Sequence, residues 1–371
     1  MKLLLLSTPV GPLGSGLGGG VELTLSNIAQ ELLRRGHTLK IVAPVSARVA
    51  ALQESDSSLS KLPIVEIPGT LQIPAQTQNR SDPILIPANS VLANMWEYAR
   101  QVQADFDIIV NFAYDWLPFY LTPFFQTPIA HFVSMASLSD AMDKIMESVA
   151  IKFPGSIAVC TRAQAETFPF ARHCICLGMG SGIDLSLYDF CPHPENQLAW
   201  VGRIAPEKGL EDAVAAAEIT GIPLKIFGKM QDENYWQQIC QHYPNAPIEY
   251  RGFFPTVELQ KQLRQCRAIL MTPRWVEAFG NVAIEALACG VPVIAYQRGG
   301  PSEIVRDGET GFLVKPDSVD GLVQAIARLH TIDRSRCRRQ AEEEYSMEIW
   351  GNRIEKWFRN ILKPSSSPAC D

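Results

Sequence analysis

The sequence predicts an α/β protein of two domains, each an open parallel sheet, facing one another across a central cleft. Three observations carry that prediction. Short apolar runs alternate with segments whose apolar residues recur at helical spacing, from the first ten residues to Val314. A polar, proline-bearing stretch, Cys191-Pro192-His193-Pro194-Glu195-Asn196, interrupts the alternation half way along. At 371 residues the chain exceeds what one compact core usually serves.

Taken in order, the run Met1-Lys2-Leu3-Leu4-Leu5-Leu6 gives way to a Pro/Gly loop. It is shorter than the roughly 7 to 15 apolar residues a secretory signal needs, so it reads as a first buried strand. No run approaches the roughly 20 apolar residues of a membrane span, and a cytoplasmic location is expected. The loop Ser7 to Gly18 leads into a helix with Val21, Leu25, Ile28, Ala29, Leu32 and Leu33 on one face, ended by Gly36. A strand at Leu39 to Ala43 completes a βαβ unit. Further strands are predicted at Ile64 to Ile67, Ile108 to Phe112, Ile129 to Val133 and Ser156 to Cys160, with helices around Val91 to Val102 and Leu138 to Ile151. The first domain is expected over 1–190.

The stretch Asp184 to Gln197 reads as a linker, and a second domain is expected over 197–345. Its strands are predicted at Leu198 to Val201, Leu224 to Phe227, Ile248 to Tyr250, Ala268 to Met271, Val293 to Ala295 and Phe312 to Val314. A C-terminal helix at 346–362 is expected to pack back on the first domain, and 363–371 to be a disordered tail. Open α/β sheets bind ligands beyond the carboxyl ends of their strands, so two facing sheets predict a substrate cleft.

The formal charge of -6 argues against nucleic acid or an anionic membrane as the main partner, because no long-range positive field exists. Nine cysteines stand without CxxC pairs or a Cys/His set at zinc spacing and read as reduced, buried thiols. Arg334, Arg336, Arg338 and Arg339, followed by Glu342 to Glu344, read as a solvated helix face. Asp105-Phe106-Asp107 sits between a helix and a strand, where carboxylates bond to free backbone N–H groups, and is read as a turn and not as a metal site.

The chemistry concentrates in the second domain. Glu277-Ala278-Phe279-Gly280-Asn281-Val282-Ala283-Ile284-Glu285 carries two carboxylates eight residues apart around a glycine turn. A helix starting near Gly280 presents free N–H groups to an anion such as a diphosphate, with Glu285 about a turn further in, where a carboxylate accepts hydrogen bonds from ribose hydroxyls. Glu277, ahead of the helix, is placed to accept hydroxyl protons of a sugar. Gly202-Arg203-Ile204-Ala205-Pro206-Glu207-Lys208-Gly209 adds two cations at a strand-to-helix loop, where a leaving diphosphate needs them. Each feature alone is ordinary surface charge; together they are specific.

These residues resemble the family 4 retaining glycosyltransferases, which have the GT-B fold of two facing Rossmann-like domains. The resemblance also rests on Gly299-Gly300-Pro301-Ser302-Glu303-Ile304-Val305 through Gly308-Glu309-Thr310-Gly311-Phe312-Leu313-Val314, and on Gly19-Gly20-Val21-Glu22 and Arg35-Gly36-His37 in the first half. It implies that Arg203 and Lys208 bind a nucleotide diphosphate. It further implies that Glu285 binds the ribose, that Glu277 with the backbone of Phe279, Gly280, Asn281 and Val282 binds the sugar and its phosphate, and that Gly19 and Gly20 close on the diphosphate from the other domain. Gly202 and Phe254 join the donor set, the latter because uracil is read by backbone near Arg251-Gly252-Phe253-Phe254. The family pattern has a histidine after a first-domain strand that contacts the transferred sugar, and His131 is read as that residue. No metal or other cofactor is expected; a UDP-sugar is the co-substrate, and the catalytic set is His131, Arg203, Lys208 and Glu277.

The acceptor is expected on the first domain, where Tyr114, Asp115 and Trp116 follow a strand end in an aromatic-rich stretch. Rings there could stack on a flat acceptor while Asp115 takes its N–H groups, or Asp115 could simply cap a helix starting at Trp116. The loop Ser7 to Thr24 is similar to the pteridine glucosyltransferases, which move glucose from UDP-glucose to tetrahydrobiopterin, and this implies a small pterin acceptor. A polysaccharide or lipid acceptor, a nucleotide-sugar epimerase and a non-catalytic nucleotide-sugar-binding module are the competing readings.

Overall fold

A computed structural model describes residues 1–45 and 62–363 of the chain, so the tail expected at 363–371 falls, from residue 364 on, outside the described residues. The chain divides into two compact units, Ile183–Ser346 and a first unit that joins Met1–Gly182 to Met347–Asp371.

In the first unit, β1 (Lys2–Leu6), β2 (Thr38–Pro44), β3 (Ile64–Ile67), β4 (Ile108–Asn111), β5 (Ile129–Val133), β6 (Ile157–Val159) and β7 (Ile175–Cys176) form a parallel sheet in the order β3-β2-β1-β4-β5-β6-β7. Leu3 to Leu6 are buried without alternation, as a strand covered by helices on both faces requires. Those helices are α1 (Gly20–Arg34), α2 (Val91–Val102), α3 (Trp116–Leu121), α4 (Asp140–Lys152) and α5 (Arg162–Ala165). The order reverses between β1 and β4, so their carboxyl ends flank the crevice where the first helices leave on opposite faces.

The second unit repeats the plan. Its strands β8 (Leu198–Val201), β9 (Leu224–Phe227), β10 (Ile248–Gly252), β11 (Ala268–Met271), β12 (Val293–Tyr296) and β13 (Gly311–Val314) run in the order β10-β9-β8-β11-β12-β13, with β8 and β11 at the switch point. Its helices are α6 (Leu210–Thr220), α7 (Glu233–His242), α8 (Thr256–Leu263), α9 (Asn281–Ala288), α10 (Pro301–Ile304), α11 (Val319–Ala327) and α12 (Arg334–Glu344). The last helix, α13 (Met347–Leu362), belongs to the first unit. There Trp357 donates its indole N–H to the Gly155 carbonyl at 2.7 Å, and Glu355 accepts from His37 at 2.8 Å.

Two expectations need correction. The stretch Asp184 to Gln197 is not a free linker: it packs on the second unit, where Tyr188 is buried and the Cys191 N–H bonds to the Cys289 carbonyl. The basic patch on α12 is only partly solvated. Arg334 is buried and its guanidinium donates to the carbonyls of Cys191, Cys266 and Arg264, while Arg338 donates to those of Tyr188 and Ala288. A fork of five donors satisfies several loop carbonyls at once, which a solvated face would leave to water.

Candidate active site

The site on the second unit is built at the switch point. The loop after β8 carries Arg203 and Lys208; the loop after β11 carries Trp275 and Glu277. Gly209, at φ 63°, locks the two together: a Cβ there would lie 2.0 Å from the Thr272 carbonyl oxygen, and the Thr272 hydroxyl donates to the Gly209 carbonyl at 2.7 Å. Across this junction the Lys208 ammonium meets Oε2 of Glu277 at 2.5 Å. The Trp275 indole N–H donates to the same oxygen at 3.1 Å, and Lys208 Nζ lies 4.8 Å from the centre of the indole ring. Burial pushes the Glu277 carboxyl up, but Lys208, Trp275 and the nearby Arg203 outweigh it and hold the group below the usual carboxylate range. Arg203 pairs with Glu207 at 2.8 Å and donates to Gln231. Both cations are therefore held close to carboxylates.

Behind Glu277 stand Gly299 and Gly300. The Gly300 N–H donates to the Glu277 carbonyl at 2.7 Å, and a Cβ on Gly299, whose φ is 69°, would come within 2.4 Å of that oxygen. The next turn opens α9. Gly280 caps it at φ 97° with no side-chain hydrogen bond, and among the described residues the N–H groups of Phe279, Gly280, Asn281 and Val282 find no protein acceptor. Four unsatisfied donors at a helix start form an anion site. Glu285 lies on the same helix, buried against Tyr188, which hydrogen-bonds it; burial raises its carboxyl to about 7.

Two predicted donor residues contribute differently from the expectation. The Gly202 N–H is taken by the Phe227 carbonyl at 2.9 Å, so Gly202 offers an anion no donor; its carbonyl lies where a Cβ on Gly228 would be, at 1.7 Å. Phe254 is half-buried, its ring 5.8 Å from that of Phe227 and tilted against it.

In the first unit, Gly19 and Gly20 are exposed at the start of α1, which Gly19 caps at φ 66°. Most of the glycine loop ahead of them serves Glu22, whose carboxylate accepts the N–H groups of Gly14 and Gly16, each at 2.9 Å, and of Gly18. His131 requires correction. It lies in the middle of β5, not at its end, and is fully buried. Asn111 Nδ2 reaches its Nδ1 at 3.2 Å and Thr122 Oγ1 its Nε2 at 2.9 Å, while the ring stacks on Phe119 at 4.2 Å. The Asn111 amide donates, so Nδ1 accepts and Nε2 carries the proton. Burial pushes the imidazole down to about 3. A neutral histidine with both nitrogens engaged inside the sheet is a core residue, unable to touch a sugar.

The acceptor candidates follow β4. Asp115 does cap α3, accepting the Leu117 N–H at 3.4 Å, and also accepts from Gln72 at 3.2 Å; burial raises its carboxyl to about 6. Tyr114 accepts the Leu138 N–H at 3.1 Å, and Trp116 stacks on Tyr120 at 4.6 Å. The turn reading of Asp105-Phe106-Asp107 has its counterpart in the Lys2 N–H, which donates to Asp107 at 2.7 Å.

Sequence reasoning missed Trp275, Tyr188, Gln72 and the scaffolding task of Gly299 and Gly300. Tyr188 sits in the stretch read as linker, and Gln72 in a loop without periodicity. For the glycines the signal is the Gly299-Gly300 pair itself, since adjacent glycines permit a close backbone approach.

Residues 191–346 match the family model for Glycosyl transferases group 1. The chain is similar to glycogen synthase of Mycobacterium tuberculosis, with 31% identity over 156 residues, 39% of this chain and 37% of that enzyme. It is likewise similar to D-inositol 3-phosphate glycosyltransferase of Corynebacterium glutamicum, with 33% identity over 158 residues, 38% of this chain and 36% of that enzyme. The chain thus spans little more than a third of the length of these curated relatives. As a fold it resembles the solved structure of Anabaena Alr3699/HepE in complex with UDP and glucose, with a TM-score of 0.76 at 18% identity, covering 97% of this chain and 100% of that one. It also resembles sucrose-phosphate synthase from Thermosynechococcus elongatus, with a TM-score of 0.74 at 16% identity, covering 98% and 99%. The architecture is that of the GT-B glycosyltransferases, and residues 191–346 are similar to the glycosyl transferases group 1 family.

Proposed function

We propose that the protein is a retaining hexosyltransferase that takes a hexose, glucose in the first instance, from a UDP-sugar. The observation that carries the reading is the Lys208–Glu277 pair set at a sheet switch point beside four unsatisfied N–H groups of the α9 start. The negative charge that develops on a departing diphosphate is met by Arg203, Lys208 and those N–H groups, while the sugar carbon passes through an oxocarbenium-like state. Fixed cations and N–H groups take the part of a metal, so EDTA is expected to leave the rate unchanged. Glu285 accepts from the ribose. A UDP-glucose donor is supported by the solved Anabaena complexes on the same fold.

For the acceptor, the reading is a small pterin held near Tyr114, Asp115 and Trp116; its support is the resemblance of the Ser7 to Thr24 loop. A glycan acceptor is the second reading. Trp116, Tyr120 and Phe124 form an aromatic ladder with Tyr120 and Phe124 exposed, flat faces on which sugar rings stack, and similar proteins include glycogen synthase. Mass spectrometry of products from a panel of nucleotide sugars against reduced pterins and against short glucans tests both. A glycosylated pterin supports the first reading, an elongated glucan the second, and consumption of donor without either product overturns both acceptor readings.

A further inference from the structure

We propose that Trp275 is a positioning residue of the donor site, which fixes Glu277 by one oxygen and holds Lys208 beside it, so that the other oxygen is presented to the transferred sugar. This rests on the reading of the site as a UDP-sugar donor site. The geometry separates the two oxygens of Glu277. Oε2 receives both the Lys208 ammonium at 2.5 Å and the Trp275 indole N–H at 3.1 Å, whereas among the described residues Oε1 receives no donor. Lys208 is itself held from a second side, its Nζ 4.8 Å from the centre of the indole ring.

An ammonium on a four-carbon stem is a mobile partner that would let the carboxylate swing. An indole has two side-chain torsions and one directed N–H, so it fixes the plane of the carboxylate as Lys208 alone cannot. The Gly300 N–H fixes the Glu277 carbonyl, so the backbone and one carboxylate oxygen are both anchored before substrate arrives. Oε1 is left as the acceptor for a sugar hydroxyl.

The test compares the wild type with Trp275→Phe, which keeps a ring face for Lys208 and removes the N–H, and with Trp275→Leu, which removes both. Transfer from UDP-glucose is followed as a function of pH, and UDP binding is measured by calorimetry. Trp275→Phe is expected to lower kcat/KM about tenfold and Trp275→Leu about a hundredfold, with the acid limb of the profile moved to higher pH because the ionised carboxylate has lost a donor. Should Trp275→Phe lose its fold, β-(3-benzothienyl)alanine at 275 removes the N–H while keeping the indole shape. Wild-type kcat/KM and an unmoved acid limb in a folded variant overturn the inference and leave the donor reading standing. A wild type that neither binds UDP nor transfers sugar overturns the donor reading instead. Carbon NMR titration of the Glu277 carboxyl then still decides Trp275: a higher pKa in the variant supports it, and an unchanged one overturns it.

Discussion

Glu285 carries its proton in the native protein up to about pH 7, whereas a free glutamate ionises near 4.5. Burial in α9 is the cause, and the Tyr188 hydroxyl opposes it only in part. In the window between these values the unfolded chain binds fewer protons than the native one, so stability is full below about pH 4.5 and falls as pH rises towards 7. The loss amounts to about 3 kcal/mol. Glu285→Gln removes the titration, so urea unfolding should show it more stable than the wild type at pH 8 and equal to it at pH 4. The ionisable pattern of Glu277 and Glu285 was legible in the sequence, because types and spacing suffice for a helix start with a carboxylate one turn on. The proton affinity of Glu285 was not legible, because it comes from burial in the folded chain, opposed in part by Tyr188, 97 positions earlier. His131 failed for a related reason: a strand inside a parallel sheet buries every residue, and nothing in Pro128-Ile129-Ala130-His131-Phe132 tells a polar core member from a strand-end ligand.

The loops after β11 and β12 act as one element. Gly299 touches no proposed substrate group, yet an added Cβ would meet the Glu277 carbonyl at 2.4 Å and strain a φ of 69°. Gly299→Ala is expected to cost about 1 to 3 kcal/mol of stability, measured by urea unfolding, and to lower transfer at least tenfold by displacing Glu277. Unchanged transfer would mean the loop yields without moving the carboxylate. Element identities were readable because apolar runs and helical spacing report burial locally: the strands at Leu198–Val201, Leu224–Phe227 and Ala268–Met271 lie where the pattern puts them. The fixing contacts between loops were not readable. The glycine loop before α1 makes the same point, since its N–H groups at Gly14, Gly16 and Gly18 serve Glu22, a carboxylate of the chain itself.

Each unit owns a parallel sheet and its core, and the chain returns to the first through α13. Trp357 is buried there and bonded to Gly155, so Trp357→Ala should destabilise the first unit by about 3 to 5 kcal/mol. Hydrogen exchange should show protection falling in β1, β4 and β5 while β8, β11 and β12 keep theirs. Two-domain organisation was visible in the repeated alternation; the tight packing of Tyr188 and Cys191 on the second unit was not, because a polar, proline-bearing stretch looks the same whether loose or held by Arg334 and Arg338.

The donor reading as a whole is tested most directly by one measurement: transfer of sugar from UDP-glucose by the wild type and by Lys208→Ala, with folding checked by circular dichroism. Loss of Lys208 leaves the diphosphate without one of its two cations, and kcat is expected to fall about 100- to 1000-fold in a folded protein. A folded Lys208→Ala variant that transfers sugar at the wild-type rate would contradict the account.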